Sequence, residues 1–224
     1  MNIHVKLGVI VAAACTSLTL AGPVVNLDPG DFTADLSGIT NTQMSELIGT
    51  VEFDSYQDIS VYGGEPVQGD DGGMLYDATL MTRVARSNET GNLMFYFRIM
   101  DSNADLNGQI SHLEISGFSG FQTRVEYRGE EGFGDVGPSI AARSLDGDLL
   151  TFDFNSTLAT DQSSKFFFVM LDIAEFDYDG ILPQATVYLQ SGHSITLDIM
   201  PPVPAPGSLA LLGTAGLCFA RRRR

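Results

Sequence analysis

Residues 121–128 read Phe121-Gln122-Thr123-Arg124-Val125-Glu126-Tyr127-Arg128, an alternation with a period of two. Successive side chains of an extended chain point to opposite faces. Thr123, Val125 and Tyr127 therefore share one face, and Gln122, Arg124, Glu126 and Arg128 the other. Such a strand predicts a sheet with one face toward a core and a charged face away from it. Leu150-Thr151-Phe152-Asp153-Phe154-Asn155 alternates in the same way. Lys165-Phe166-Phe167-Phe168-Val169-Met170-Leu171 is apolar after its first residue, as a central strand covered on both sides requires.

Outward from these strands the chain keeps the same character. Met74 to Arg86 and Leu93 to Met100 are β runs joined by Asn88-Glu89-Thr90-Gly91-Asn92, which predicts a hairpin. Ile48 to Tyr62 reads as one or two strands, and Ile110–Ile115, Ala185–Leu189 and Ile195–Ile199 as further short ones. Val24 to Thr42 is polar and turn-rich, and Gly63–Gly73 and Asp101–Gly108 read as loops. No stretch between the termini holds a helical period. Nine or ten short strands with recurring turn signals predict an all-β fold, an antiparallel β-sandwich of jelly-roll-like kind.

The two ends differ from this body. Lys6, an apolar run from Leu7 to Leu20 and the small residues Ala21 and Gly22 read as a secretory signal peptide over 1–21, routing the chain to the Sec translocon. Reading Ala12-Ala13-Ala14-Cys15 as a lipoprotein site fits less well, because the apolar run continues past Cys15. Residues 200–224 hold prolines 201, 202, 204 and 206, an uncharged run with Leu209, Leu211, Leu212, Leu217 and Phe219, and then Arg221, Arg222, Arg223 and Arg224. Terminal arginines suit the cytoplasmic flank of a membrane-inserted segment. Gly207 to Ala220 would span about 21 Å as a helix, short of a hydrocarbon core of about 30 Å, so the arginines must reach outward or the bilayer thin. Residues 22–199 remain as the cargo domain.

Both cysteines, Cys15 and Cys218, lie in the terminal segments, so the body can form neither a disulfide framework nor a thiol site. Of 12 Lys and Arg, five (Lys6 and Arg221 to Arg224) are in the ends, whereas all 28 Asp and Glu are in the body. Seven cations against 28 acids leave residues 22–199 at −21. That charge excludes nucleic acid as a partner and suits a soluble exported protein.

The tail resembles the PEP-CTERM sorting signal of exported proteins from Gram-negative bacteria. The matching residues are Val203-Pro204-Ala205-Pro206, the apolar run from Gly207, and Arg221 to Arg224. Ala205 stands where the commonest form has Glu. The resemblance implies recognition by an exosortase, a membrane-embedded cysteine transpeptidase or protease. It also implies transient insertion in the inner membrane, then release or transfer of the body to the cell surface or extracellular polymer matrix. Three body segments, Arg83–Phe97, Ile115–Arg128 and Ala142–Phe154, resemble domains attached to such signals. No reaction comes with that likeness.

Candidate chemistry is thin. His112 and His193 have no partner at metal-ligand spacing, and no Ser sits in a G-x-S-x-G elbow. If extended, Glu175, Asp177 and Asp179 share one strand face, as acids do in jelly-roll glycoside hydrolases. Asp179-Gly180 also reads simply as a strand end entering a turn, and the chain has no tryptophan to stack a sugar. Asn103, Asp105, Asn107, Gly108 and Glu114 have the spacing of a calcium loop, with Asn103 in place of the usual Asp and strand-like flanks. A polar interstrand turn explains the same residues. The expectation is a non-enzymatic exported protein with no cofactor beyond a structural calcium. The alternative is a carbohydrate-binding module or jelly-roll glycoside hydrolase acting on extracellular polysaccharide.

Overall fold

The computed structural model describes residues 24–33, 35–64, 73–174 and 184–199. β1 (Val25–Leu27) and β2 (Phe32–Thr33) come first, and a 3-10 turn at Ser45–Leu47 leads into β3 (Gly49–Tyr62). β4 (Met74–Ser87), β5 (Leu93–Met100), β6 (Gln109–Ile115) and β7 (Thr123–Tyr127) follow. β8 (Ile140–Arg143), β9 (Leu150–Ala159), β10 (Phe167–Leu171), β11 (Gln184–Leu189) and β12 (Ser194–Asp198) complete the described chain.

These strands form two six-stranded sheets, ordered β1-β7-β10-β5-β4-β3 and β12-β11-β6-β9-β8-β2, and every ladder between them is antiparallel. The expected all-β sandwich is what forms. A jelly roll closes by pairing its first strand with its last. Here β1 lies beside β7, and β12 is at the far edge of the other sheet, so the connections follow a different order.

The stretch Ile48–Tyr62 forms one long strand, Gly49–Tyr62, rather than two. The stretch read as turn-rich, Val24 to Thr42, contributes β1, β2 and an isolated bridge from Ile39 to Arg128. Residues too few to show a period were legible only through their partners, since β2 is two residues long and pairs with Ala141 and Ala142. The expected signal peptide (1–21) and sorting segment (200–224) lie outside the described residues. Among the described residues, no helix is long and apolar enough to cross a membrane.

The main core lies between the sheets. Leu93, Phe95, Phe97 and Ile99 of β5 and Phe167, Val169 and Leu171 of β10 meet Leu113, Phe152 and Phe154 from the other sheet. Phe167 is the bridge: its ring centroid is 5.8 Å from Phe97 in its own sheet, and 4.9 Å and 6.1 Å from Phe152 and Phe154 across the gap. Burying each such ring contributes roughly 1.5–3 kcal/mol, so this column ties the layers together.

A second core covers the other face of the first sheet. Met81, Ala85, Met94, Tyr96, Phe168 and Met170 point away from the sandwich, yet are buried beneath Ile39, Leu47 and Phe166. The cover is held by backbone bonds, Ile39 N to Tyr127 O at 2.9 Å, Gly129 N to Ile39 O at 2.9 Å and Lys165 N to Val136 O at 2.8 Å. Among the described residues, no such cover lies over the outer face of the second sheet: His112, Glu114, Thr151, Asp153, Thr186 and Tyr188 are all partly accessible there.

Candidate functional site

The covered face of the first sheet gathers most of the body's few cations. Cross-strand register sets Glu126, Phe168, Tyr96, Arg83 and Asp54 in one row over β7, β10, β5, β4 and β3. Arg83 grips Asp54 through two bonds of 2.7 and 2.8 Å, and that hydrogen bonding holds the guanidinium above its usual pKa. Arg128 pairs with Glu130 at 2.9 and 2.5 Å and lies over Tyr96 and Phe133, 6.0 and 5.3 Å from the ring centres. Arg98 stands 5.1 Å from the centre of Phe166, and its buried Nε has no hydrogen-bond partner among the described residues.

Between these groups is a cavity of about 160 Å³, lined by Leu47, Arg83, Tyr96, Arg128, Phe133 and Phe166. Small-molecule sites run to roughly 300–1,000 Å³, so this one admits no more than a single side chain or small group. Its lining arginines are already engaged by carboxylates.

Two buried charges have structural duties that the sequence pattern does not reveal. Glu126 alternates with core residues and was expected on a solvent-facing side. It is instead 0 % exposed, because the Ser37–Ile39 segment crosses over it. Its carboxylate accepts N–H bonds from Gly38 at 3.0 Å, Tyr127 at 3.0 Å and Ser37 at 3.4 Å. Burial pushes its pKa up, and these donors pull it part of the way back. Gly38 fits because φ is +79° there and a Cβ would fall 2.5 Å from the Tyr127 ring. Arg143 is the other, 5 % exposed. It donates to the carbonyls of Leu27, Phe118 and Phe121 at 2.8 Å, to that of Gly147 at 3.0 Å and to Thr123 Oγ1 at 3.2 Å. Desolvation lowers its pKa, and the acceptors keep the charge tolerable.

On the open face of the second sheet, β11 and β6 set Tyr188 opposite His112. Their rings stack at 4.4 Å with planes 14° apart. The Tyr188 hydroxyl donates to Glu114 at 3.0 Å, which raises its pKa, and Ser111 Oγ lies 3.0 Å from His112 Nδ1. Thr186 and Thr196 exchange a hydroxyl bond of 3.0 Å one row away. This is a strip of stacked rings, hydroxyls and carboxylates accessible from solvent.

Of the calcium-spaced residues, Asn103, Asp105 and Asn107 sit in the loop between β5 and β6, where Asn103 Oδ1 accepts the Asp105 N–H at 3.1 Å and closes the turn. Glu114 is not beside them. It lies five residues along β6 from Gln109, about 16 Å as extended chain, in the Tyr188 strip. Among the described residues, no group of three or more His, Cys, Asp or Glu comes together at metal-binding range. His193 is in the β11–β12 turn, 3.1 Å from Ser191 Oγ. Glu175, Asp177 and Asp179 lie outside the described residues, as do Val203 to Pro206, the Leu209–Phe219 run and Arg221 to Arg224.

The point where the sorting segment departs is well defined. Ile199 is 2 % exposed within the main core. Asp198, just before it, pairs with Gln184 of β11, and its carbonyl accepts a hydrogen bond from Gln57 Nε2 in the middle of β3.

No curated protein and no solved structure matches the chain. One family model does, over residues 202–224, two residues inside the expected 200–224, and its description is the PEP-CTERM protein-sorting motif. The chain thus carries a PEP-CTERM sorting signal, the mark of an exported protein targeted to an exosortase.

Proposed function

We propose that residues 22–199 form a non-enzymatic cargo domain. The chain leaves through the Sec translocon, stays transiently in the inner membrane by its apolar run, and passes after cutting to the cell surface or extracellular matrix. The observation that carries this is the motif match at 202–224. The body supports it: Arg83, Arg128, Glu126 and Arg143 are all committed to bonds that hold layers and turns together. Intact mass of the secreted protein tests the reading. Two cleavages are expected, one near Ala21 and one near Pro204–Pro206. Deleting Arg221 to Arg224 should leave the second cut undone, and a tail retained by wild-type cells that contain an exosortase counts against it.

The open face of the second sheet favours a second reading, binding of extracellular polysaccharide. Tyr188 and His112 offer ring surface, and Thr186, Thr196 and Glu114 offer hydroxyl and carboxylate partners for sugar hydroxyls. A pull-down on insoluble polysaccharides in which Tyr188→Ala abolishes retention would support it. Hydrolysis lost on Glu175→Ala would instead assign the Glu175, Asp177 and Asp179 group a glycosidase role, and the absence of turnover on β-glucans would remove that option.

A further inference from the structure

The chain passes from core to sorting motif with almost no slack. Ile199 is buried in the main core, and β12 before it is fastened to β11 by its ladder and to β3 by the Gln57 bond. Pro204 is five residues beyond Ile199, and Gly207, where the apolar run begins, is eight. At up to about 3.6 Å per residue, the motif lies within about 18 Å of the core anchor and the start of the run within about 29 Å. The headgroup layer takes up roughly 5–8 Å of the second distance. An enzyme embedded in the membrane must therefore bring its site into a gap of about 20–24 Å, narrower than a small domain's diameter of about 30 Å. The surface bounding that gap is the corner where β12 meets the middle of β3, with Asp58 and Asp198 exposed on it.

Resting on the sorting reading above, we infer that the β12–β3 corner is the face that abuts the sorting enzyme, and that the short tether limits how fast the folded chain is cut. The exposed acids at the corner repel an anionic bilayer surface, so no attraction draws the body down to offset the crowding. Slack can come from added residues or from β12 itself, whose five residues would add about 16 Å if released.

The test is pulse-chase processing of the full chain in cells that contain an exosortase. Six or twelve Gly/Ser residues are inserted between Met200 and Pro201, and Gln57→Ala with Ile199→Ala loosens the anchor without changing tether length. The twelve-residue insertion is expected to raise the first-order cutting rate at least threefold, with a plateau beyond it, and the loosened anchor to raise it in the same direction. Circular dichroism of the secreted products checks that each body is folded. A wild-type chain that is cut at a rate unchanged or lowered by the insertions overturns this inference alone. A wild-type chain that is never cut overturns the sorting reading and this inference with it.

Discussion

Arg143 shows how much one side chain organises here. Its guanidinium meets four carbonyls and one hydroxyl, and these come from the end of β1, the 118–121 turn, the 144–147 turn and β7. Lysine keeps the charge but has three donors in a compact head, so Arg143→Lys should cost about 2 kcal/mol, and Arg143→Met, which orphans buried carbonyls, about 3–5 kcal/mol by urea unfolding. Glu126 behaves differently because its folded pKa is raised. Ionisation is then harder in the folded state, so its contribution is fully present below the ordinary carboxylate range and falls as pH rises through the folded value. Glu126→Gln keeps an oxygen for the Gly38 and Tyr127 N–H groups, which share Oε1, and gives up only the long Ser37 contact. Its stability relative to wild type should therefore rise between pH 4 and neutrality. Glu126→Ala leaves two buried donors unpaired and should lose about 2–4 kcal/mol throughout. Urea midpoints measured across that pH range separate the two variants.

β10 and β7 are neighbours with different legibility. The run Phe166 to Leu171 is apolar on both parities, and β10 is accordingly buried on both faces at the middle of its sheet. The same double-sided pattern in Leu93-Met94-Phe95-Tyr96-Phe97 was a second sign that the first sheet is covered outside as well as inside. β7 hid this, because Arg124, Glu126 and Arg128 on its outer parity look like a solvent-facing set. The cover over them is built from Ser37–Leu47 and Gly129–Val136, irregular segments with no period, so only the fold assembles it. Alternation thus revealed the sandwich and most of its strands. The short strands β1 and β2, the second core and the Tyr188–His112 strip depend on residues far apart in sequence. Truncation should expose the difference between the two outer faces. Phe168→Ala, beneath the cover, is expected to cost about 3–5 kcal/mol, whereas Thr151→Ala on the open face should stay within about 1 kcal/mol. Equal losses at the two positions would mean that the cover does not pack as described.

The whole body is short of compensation for its charge. Seven cations face 28 acids, and among the described residues Arg83, Arg86, Arg124 and Arg128 hold five ion-pair contacts, to Asp54, Glu52, Glu46, Asp172 and Glu130. Most acids therefore repel one another at the surface, and that repulsion weakens the compact state relative to the expanded one. Screening shortens its reach from about 30 Å at 0.01 M salt to about 8 Å at 0.15 M, so stability of the processed protein should climb with sodium chloride over that range. Each kcal/mol of relieved repulsion raises Tm by about 2–4 °C for a chain of this size. Calcium chloride discriminates between general screening and a held ion. Asn103 Oδ1 is engaged in its own turn and Glu114 in the Tyr188 bond, so calcium at matched ionic strength should raise Tm no further than sodium does. A larger calcium shift that disappears in Asp105→Ala would instead place an ion in the loop between β5 and β6. One that persists in Asp105→Ala but is lost on Asp198→Asn would move it to the exit of the sorting segment, where an added positive charge would also change how closely the body can approach the membrane.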